Sequence, residues 1–365
     1  MPETVDSASL VALRRLGGEG KLGKLFMPNS ACELLGGLLV VAENVQDARL
    51  PVISLESGQL MRHLVPLDRA FDRPVALCLS EDGAALIVIE TSSIIKLNAV
   101  SGAELQRRDE AEEEIIFTGG SIVAGVLYVV NHRGGCVRSY DPHTLEPRAE
   151  HFGHKHTLPV GSTEFPPYPE APLPLAPDAL IEPYAVRAHP EGVMVLDASS
   201  HSPRIVVFDP ATCAVVRQYT TFVSPWDALV LGGGTMMVVD DGQQLVQLEV
   251  ASGKELARRK LREDTKYPPF VRTLLPLSSN ACAGADATTT FAALEMLPES
   301  VVHVFRADGV ASAMNAPRVD RPIPTPSLLA TGPSYDMCVV GAGAVGCCIA
   351  RDVASYAHTG APTRE

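Results

Sequence analysis

An internal repeat constrains the fold of this chain more than any other feature of its sequence. Six segments share one order: a short apolar strand, a glycine-containing turn, a β-branched strand that ends on an acid or amide, a polar turn and a third strand. The acid or amide positions are Glu43, Glu90, Asn131, Asp197, Asp240 and Asp286, spaced by 47, 41, 66, 43 and 46 residues. This interval is typical of one four-stranded propeller blade, which cannot bury both of its faces alone and stacks on its neighbours. The repeat therefore predicts a mainly β fold, a six-bladed β-propeller.

The repeat and a change of composition after it divide the chain into four parts. These are an N-terminal segment (1–19), the propeller (20–310), a proline-containing linker (311–333) and a C-terminal strand, glycine turn and helix fragment (334–365). The chain has 29 glycines and 29 prolines, enough for many turns but below the content of low-complexity disorder. Aromatic residues make up only 5%, with Trp226 as the single tryptophan, so we expect a core of Val, Leu, Ile and Ala.

The one long spacing, 66 residues, contains a proline-rich insert at 157–183. Eight prolines lie between Pro159 and Pro183. Proline cannot donate a hydrogen bond to a sheet ladder, so the insert is expected to leave the ring. Two interpretations stay open: a simple surface loop, which we favour, and a polyproline II strip that docks into an aromatic groove of a partner.

Charge and apolar runs argue against several classes of partner and location. The formal net charge of −13 repels phosphate backbones and anionic membranes, so we expect no nucleic acid and no membrane as a partner. Residues 1–6 lack the basic and apolar regions of a signal peptide. The longest apolar run, 337–350, is shorter than the roughly 20 residues that span a bilayer. Eight cysteines without a C-x-x-C pair indicate neither a zinc site nor a disulfide framework, and we expect an intracellular, cytoplasmic protein.

The six strand-end residues have two interpretations. Acids and amides from several loops could hold a hard cation such as Ca²⁺. Alternatively, each residue ends a strand and hydrogen-bonds the backbone of the following turn. We favour this second, structural role, because it is needed in every blade whereas a metal needs ligands from only a few. If a metal is bound, the candidate ligands are Glu43, Asn131, Asp197 and Asp240, with Asn44, His132 and Asp241 beside them.

Two further groups of side chains have possible metal or thiol chemistry. His151, His154 and His156 lie close together in sequence, but their spacing fits neither a helix face nor a zinc pattern, so we expect a solvated loop. Cys32 and Cys78 occupy matching first strands of the repeat, and we expect them to be core thiols that pack as small apolar side chains.

Near the end of the chain, glycines at fixed spacing follow an apolar strand and open an amphipathic helical pattern. The G-x-G-x-x-G spacing in this context is typical of a dinucleotide-binding turn. The first glycine permits the tight turn, the second lets the backbone approach a pyrophosphate, and the third lets the helix pack close to the strand. The residues expected to bind the cofactor are Gly341, Gly343, Ala344, Val345 and Gly346.

Both parts of the chain resemble known families. Residues 20–310 resemble the NHL-type six-bladed propellers, with 39–44 and the preceding Pro28 as the closest match to that family's strand signature. The family includes interaction propellers without chemistry and gluconolactonase-like, metal-dependent hydrolases. Residues 334–354 are similar to the N-terminal edge of FAD-dependent oxidoreductases of the glycerol-3-phosphate dehydrogenase and D-amino-acid oxidase type, which implies FAD as the cofactor.

These resemblances lead to one expected function and one alternative. In the FAD family, an acid about 20 residues beyond the glycines binds the ribose hydroxyls. Here residues 356–365 do not read as a strand, so we expect a truncated piece of a longer flavoenzyme. The expected function is a propeller that binds a protein partner, fused to this incomplete FAD-dependent oxidoreductase domain. The alternative is a gluconolactonase-like hydrolase on the propeller.

Overall fold

The computed structural model of the chain describes ten stretches of residues, all within the first 307. These are 10–16, 25, 27–65, 69–110, 115–151, 179–199, 202–261, 270–277, 289–297 and 301–307. The chain divides into two compact units, Met1–Ser312 and Ala313–Glu365, and every described residue belongs to the first. The predicted linker and the dinucleotide fragment, including Gly341, Gly343, Ala344, Val345 and Gly346, lie outside the described residues.

The described part of the chain forms six four-stranded antiparallel sheets, the blades of a propeller. β1 (Leu10–Leu16) comes first in the chain. Blade 1 contains β2 (Pro28–Leu34), β3 (Leu38–Glu43), β5 (Leu50–Ser54) and β6 (Leu60–Leu64), while β4 (Gln46–Ala48) and β7 (Phe71–Asp72) form a small separate pair. Blade 2 contains β8 (Ala76–Leu79), β9 (Ala85–Ile89), β10 (Ser93–Asn98) and β11 (Glu104–Asp109). Blade 3 contains β12 (Phe117–Val123), β13 (Val126–Asn131), β14 (Cys136–Tyr140) and β15 (Pro147–His151).

The remaining three blades follow the same order, with one change in the last. Blade 4 contains β16 (Pro183–His189), β17 (Gly192–Asp197), β18 (Arg204–Phe208) and β19 (Val215–Tyr219). Blade 5 contains β20 (Pro225–Val230), β21 (Thr235–Asp240), β22 (Gln244–Glu249) and β23 (Glu255–Lys260). Blade 6 contains β24 (Phe270–Pro276), β25 (Thr289–Leu297), β26 (Val301–Ala307) and β1. In the described residues the only helix is a 3-10 turn at Gly232–Gly234, and none is long and apolar enough to cross a membrane.

Alternating side chains of the second strands build the core between the blades. In β3, Leu39 and Val41 pack against blade 6, whereas Val40 and Ala42 pack against blade 2. The same alternation gives one apolar cluster between each pair of adjacent blades. Because successive side chains of a strand point to opposite faces, a strand covered on both faces needs an unbroken apolar run. This explains why the repeat reads as Val- and Leu-rich strands, and it confirms the six-bladed propeller.

The ring closes through a strand that the sequence analysis placed outside it. Residues 1–19 were expected to precede the propeller, yet β1 pairs antiparallel with β26 as the outermost strand of blade 6, from Leu10 opposite Ala307 to Leu16 opposite Val302. The apolar cluster between blades 6 and 1 completes the circle. Pairing the two ends of the ring in one sheet ties the last blade to the start of the chain.

The strand-end position of blade 6 is occupied by Glu295. Glu295 lies opposite Val271 just before a bulge, as Asp240 lies opposite Pro225 in blade 5. The repeat predicted Asp286 at this position, and Asp286 lies outside the described residues. The strongly apolar part of β25 begins at Phe291, so the repeat in this blade is displaced along the chain and the acid falls nine positions later than expected.

All six innermost strands begin on the same face of the ring. Each of the first five blades has four antiparallel strands, an even number, so the chain leaves a blade on the face where it entered. We call this the upper face. The loops that lead into each innermost strand and the turns after each second strand lie there, including the connection from His151 to Pro183 that contains the proline-rich insert. Of that insert, residues 157–178 lie outside the described residues.

Candidate functional site

A β-bulge recurs at the start of the innermost strands. In five blades the pairing with the second strand skips one residue. In blade 2 the equivalent residue, Val75, immediately precedes β8. A bulge leaves its extra residue unpaired and redirects its side chain. The six residues line one central cavity, and we call them the axial ring: Asn29, Val75, Thr118, Tyr184, Trp226 and Arg272.

The cavity is lined by all six innermost strands and has a volume of about 280 Å³, including solvent at its mouth. The part of this space that a water-sized group can enter is far smaller than a typical small-molecule pocket, so it suits only a small head group such as a carboxylate. Its wall is tight on the blade 3 side. A Cβ atom on Gly119 would lie 2.5 Å from the carbonyl oxygen of Tyr184, so only glycine lets β12 approach β16 this closely.

Four rings form a continuous aromatic wall over blades 3 to 6. The ring centroids of His132 and Tyr184 are 4.9 Å apart, those of Tyr184 and Trp226 4.5 Å, and those of Trp226 and Phe270 5.0 Å. The wall contains the single tryptophan of the chain. His132 Nδ1 lies 3.4 Å from the carbonyl oxygen of Pro183, and burial holds the pKa of His132 below its ordinary value.

Arg272 lies against this wall. Its guanidinium carbon is 4.9 Å from the ring centroid of Tyr184 and 5.0 Å from that of Trp226, within the range of cation–π attraction. Burial lowers the pKa of Arg272, although an arginine keeps its charge at any pH a protein experiences. Within the described part of the chain, Arg272 forms no ion pair and donates no hydrogen bond.

The second arginine of the cavity is already neutralised. Arg187 Nη2 donates to Asp227 Oδ2 over 2.7 Å. Asp227 also accepts hydrogen bonds from the backbone amides of Leu274 (2.8 Å) and Ala228 (2.9 Å), so both of its oxygens are in use. Among the described residues that line the cavity, the charged ones are Arg187, Asp227 and Arg272. Two arginines and one aspartate give these residues a net charge of +1.

Asn29 supplies an acceptor to the cavity lining. Its side chain is 2% exposed, its Nδ2 lies 3.4 Å from the carbonyl oxygen of Val75, and its backbone carbonyl accepts a 2.6 Å hydrogen bond from Thr273. Its Oδ1 is buried and accepts no hydrogen bond from the described residues. A buried acceptor without a donor costs about 1–3 kcal/mol. The cavity lining therefore has one unused charged donor and one unused acceptor.

The strand-end residues predicted from the repeat are bonded to backbone. Asp197 accepts hydrogen bonds from the amides of Ile181 and Glu182, and Asp240 from those of Val223 and Ser224, all between 2.9 and 3.1 Å. These amides belong to the loop that enters the blade. Asp197 also accepts a hydrogen bond from the backbone of Ser199, in the turn that follows the strand, as expected. For Asp240 the expected bond to the following turn was wrong. Asn131 does bond the following turn, through the amide of Gly134 (3.2 Å), and also the entering loop.

The same residues also face cations of the protein. Arg258 pairs with Asp240 at 2.8 Å and Arg69 with Glu90 at 2.7 Å, while Glu43 is half-buried at the end of β3. Burial raises the pKa of Asp197. Across the described residues, no three His, Cys, Asp or Glu side chains lie close enough to share a metal ion. Of the histidine group, His154 and His156 lie outside the described residues, and His151 ends β15.

The two matching cysteines lie in the first strands of blades 1 and 2. Cys78 is buried and Cys32 is half-buried, and both pack within apolar clusters. Burial raises the pKa of each thiol to about 12. The reactive thiolate is therefore scarce at neutral pH, and both side chains act as apolar packing groups.

The axial ring was not found from the sequence, although a signal for it exists. In four blades the axial residue directly follows a proline: Pro28-Asn29, Pro74-Val75, Pro183-Tyr184 and Pro225-Trp226. Proline suits the first position of a strand because it has no amide to pair. A proline that opens an apolar strand in successive repeats therefore marks the next residue as the one that faces the axis.

Comparisons with known proteins support the fold. No protein-family model and no curated protein matches the sequence. Among solved structures, the hydrazine synthase of Kuenenia stuttgartiensis is similar with a TM-score of 0.50 and 14% identity, over 77% of this chain and 79% of that one. The structure of U3-55K is similar with a TM-score of 0.52 and 11% identity, over 81% of this chain and 98% of that one. At these identities the likeness concerns the fold alone.

Proposed function

We propose that this propeller is a binding module that holds a protein partner on its upper face. The observation that carries the proposal is the cluster of Tyr184, Trp226 and Arg272 at the upper ends of three adjacent innermost strands. These three residue types are enriched in the energetically dominant centres of protein interfaces. The NHL-type assignment belongs to the same proposal and rests on the resemblance of residues 39–44.

The loops of the two faces differ in a way that favours the upper one. On the opposite face, the first and second strands are joined by short turns such as 35–37, 124–125 and 190–191. The upper face carries the 31-residue connection between His151 and Pro183. Exposed apolar side chains do not distinguish the faces, since Val223 of the upper face is 61% exposed and Leu35 of the opposite face 64%. Binding residues concentrate on loops that a rigid scaffold positions.

A matched pair of variants tests the proposed face. Val223→Asp places a charge on the upper face of blade 5, and Leu256→Asp places the same charge on the outer strand of that blade, where Leu256 is 42% exposed. A partner captured by the wild-type chain and confirmed with purified proteins is expected to bind Leu256→Asp normally and Val223→Asp at least tenfold more weakly, since a buried unpaired charge disrupts an interface. Equal binding of both variants would place the partner elsewhere.

The hydrolase alternative requires a divalent metal held by Glu43, Asn131, Asp197 and Asp240. The described residues do not fit that role, because the carboxylate oxygens of Asp197 and Asp240 already accept hydrogen bonds from backbone amides and, at Asp240, from Arg258. No hydrolytic step follows from these contacts. Hydrolysis of a sugar lactone that needs added Ca²⁺ and is lost in Asp197→Asn would establish the alternative.

The fused FAD-binding fragment is a separate proposal that rests on the glycine motif. Residues 334–365 lie outside the described residues, so the support comes from Gly341, Gly343 and Gly346 and their context. A protein that includes any coding sequence in frame beyond Glu365 is expected to carry a flavin absorbance band, which Gly343→Val abolishes by blocking the approach of the pyrophosphate. A colourless product would contradict the proposal.

A further inference from the structure

We propose that the axial cavity binds a carboxylate group, with Arg272 as its counter-charge. The carboxylate could belong to a small organic acid or to the C-terminus of a peptide, and both present the same chemistry to the cavity. The site shares Tyr184, Trp226 and Arg272 with the proposed partner surface. The inference does not depend on that function, because a carboxylate can occupy the cavity whether or not a protein covers the upper face.

Charge is the first argument. Arg187 is paired with Asp227 at 2.7 Å, and the oxygens of Asp227 accept three hydrogen bonds, none of them from Arg272. The charge of Asp227 also attracts Arg272 and opposes the lowering of its pKa by burial, but one carboxylate faces two guanidinium groups, so one positive charge stays in excess. A charge withdrawn from water without a partner is costly, and a bound anion relieves that cost. The net charge of +1 matches a monovalent carboxylate better than a phosphate dianion.

Geometry and size give the second argument. The aromatic wall lies directly beside the guanidinium, so a planar or apolar group attached to the carboxylate can contact Tyr184 and Trp226. Asn29 Oδ1 has almost no accessible surface, so we assign it no contact with the ligand. The enclosed space is small, so the carboxylate is the part that enters the cavity and the group attached to it lies against the aromatic wall.

Trp226 provides a built-in reporter for the test. It is the only tryptophan of the 365-residue chain, so its fluorescence reports on this cavity alone. Acetate does not absorb at the excitation wavelength and is expected to change the emission saturably. Calorimetry then compares two aromatic acids, hippurate (N-benzoylglycine) and benzoate, with benzamide, which lacks the charge, and with inorganic phosphate. We expect both acids to bind, and benzamide and phosphate to bind at least tenfold more weakly than hippurate.

Two variants assign the binding to the proposed residue. Arg272→Gln is expected to weaken hippurate at least tenfold. Arg217→Gln removes an arginine of the outer strand of blade 4 that pairs with Glu191, and is expected to leave hippurate binding unchanged. Thermal melting of each variant checks that the ring is intact. If Arg272→Gln is folded and binds hippurate like the wild type, or if benzamide binds as well as hippurate, the proposal is wrong.

A peptide pair then separates the two sources of the carboxylate. An N-acetylated tripeptide with a free C-terminus is compared with the same peptide carrying a C-terminal amide. Binding of the free acid alone assigns the cavity to a peptide C-terminus, whereas binding of hippurate without either peptide assigns it to a small acid. Val223→Asp is included as a control, since it is expected to lose the protein partner and keep hippurate. If the wild-type chain binds the protein partner but no carboxylate, only this inference is wrong and the proposed function stands.

Discussion

Two positions recur in the blades of this propeller, and they differ in how their chemistry varies. The strand-end position is an acid or amide in every blade, whereas the axial ring holds six different residue types, from Val75 to Arg272. Asn131, Asp197 and Asp240 accept hydrogen bonds from backbone amides of the loops that enter their blades. Glu90 binds the amide of Asp72 and Glu295 binds His303. The axial residues share only the β-bulge of the backbone. The bulge sets where the side chain lies and does not require a particular residue type. Uniform chemistry at a repeated position indicates a structural role, and varied chemistry indicates a site.

The largest expected effect tests the structural half of this comparison. Asp240→Ala removes the acceptor of two loop amides and the partner of Arg258, and is expected to lower the free energy of unfolding by about 3 kcal/mol. Arg272→Gln, at the axial ring, is expected to lower it by no more than about 1 kcal/mol, because the lost cation–π contacts are offset by the removal of a buried charge. Denaturant unfolding measures both.

A neighbouring substitution is the control for that prediction. Asp241 follows Asp240 with a φ of 53°, a conformation that asparagine tolerates, so Asp241→Asn should unfold like the wild type. If Arg272→Gln destabilises the ring as much as Asp240→Ala does, the division between structural and axial positions is wrong.

The next effect concerns the wall shared by two blades. Gly119→Ala places a Cβ atom 2.5 Å from the carbonyl oxygen of Tyr184 and forces β12 away from β16. Overpacking of this kind costs about 1–3 kcal/mol. Because the displaced oxygen belongs to an axial residue, the variant should also alter the emission of Trp226, which contacts Tyr184. Gly37→Ala is a control in open space, although its φ of +73° adds local strain. It should destabilise the ring without changing the Trp226 emission.

The sequence predicted the ring better than it predicted the site. Strand composition and spacing reveal the blades because a strand covered on both faces needs a continuous apolar run, as at Val238 and Val239. The bulge leaves no such pattern, since one extra residue shifts the register without changing the apolar content. The pairing of β1 with β26 joins residues almost 300 positions apart and follows only from ring closure. Asp227 and Arg187 lie 40 residues apart and meet only because neighbouring blades do.

A smaller effect is expected within the axial ring itself. Thr118 Oγ1 donates a 3.2 Å hydrogen bond to the carbonyl oxygen of Pro183, linking blades 3 and 4. Thr118→Val keeps the shape of the side chain and removes this bond, which should cost about 1 kcal/mol in unfolding experiments. Thr118 lines the cavity but is neither charged nor aromatic, so hippurate affinity should change far less than in Arg272→Gln. If Thr118→Val loses hippurate affinity as strongly as Arg272→Gln and unfolds like the wild type, Thr118 acts in ligand binding and not in linking the two blades.

The smallest effect is a dependence of stability on pH that includes a contribution from the aromatic wall. Burial lowers the pKa of His132, with a further lowering by the charge of Arg272, so the folded state disfavours the protonated imidazole. The unfolded chain then binds more protons below about pH 6.5, and the contribution of His132 to stability is present above that pH and lost as the pH falls. The pKa values of His63 and His189 are also lowered.

His132→Gln should therefore reduce the loss of stability at acid pH without abolishing it. His63→Gln should reduce it less, because His63 is more exposed. Hippurate bound at Arg272 should also reduce this loss in the wild type, because its negative charge offsets the repulsion between Arg272 and a protonated His132.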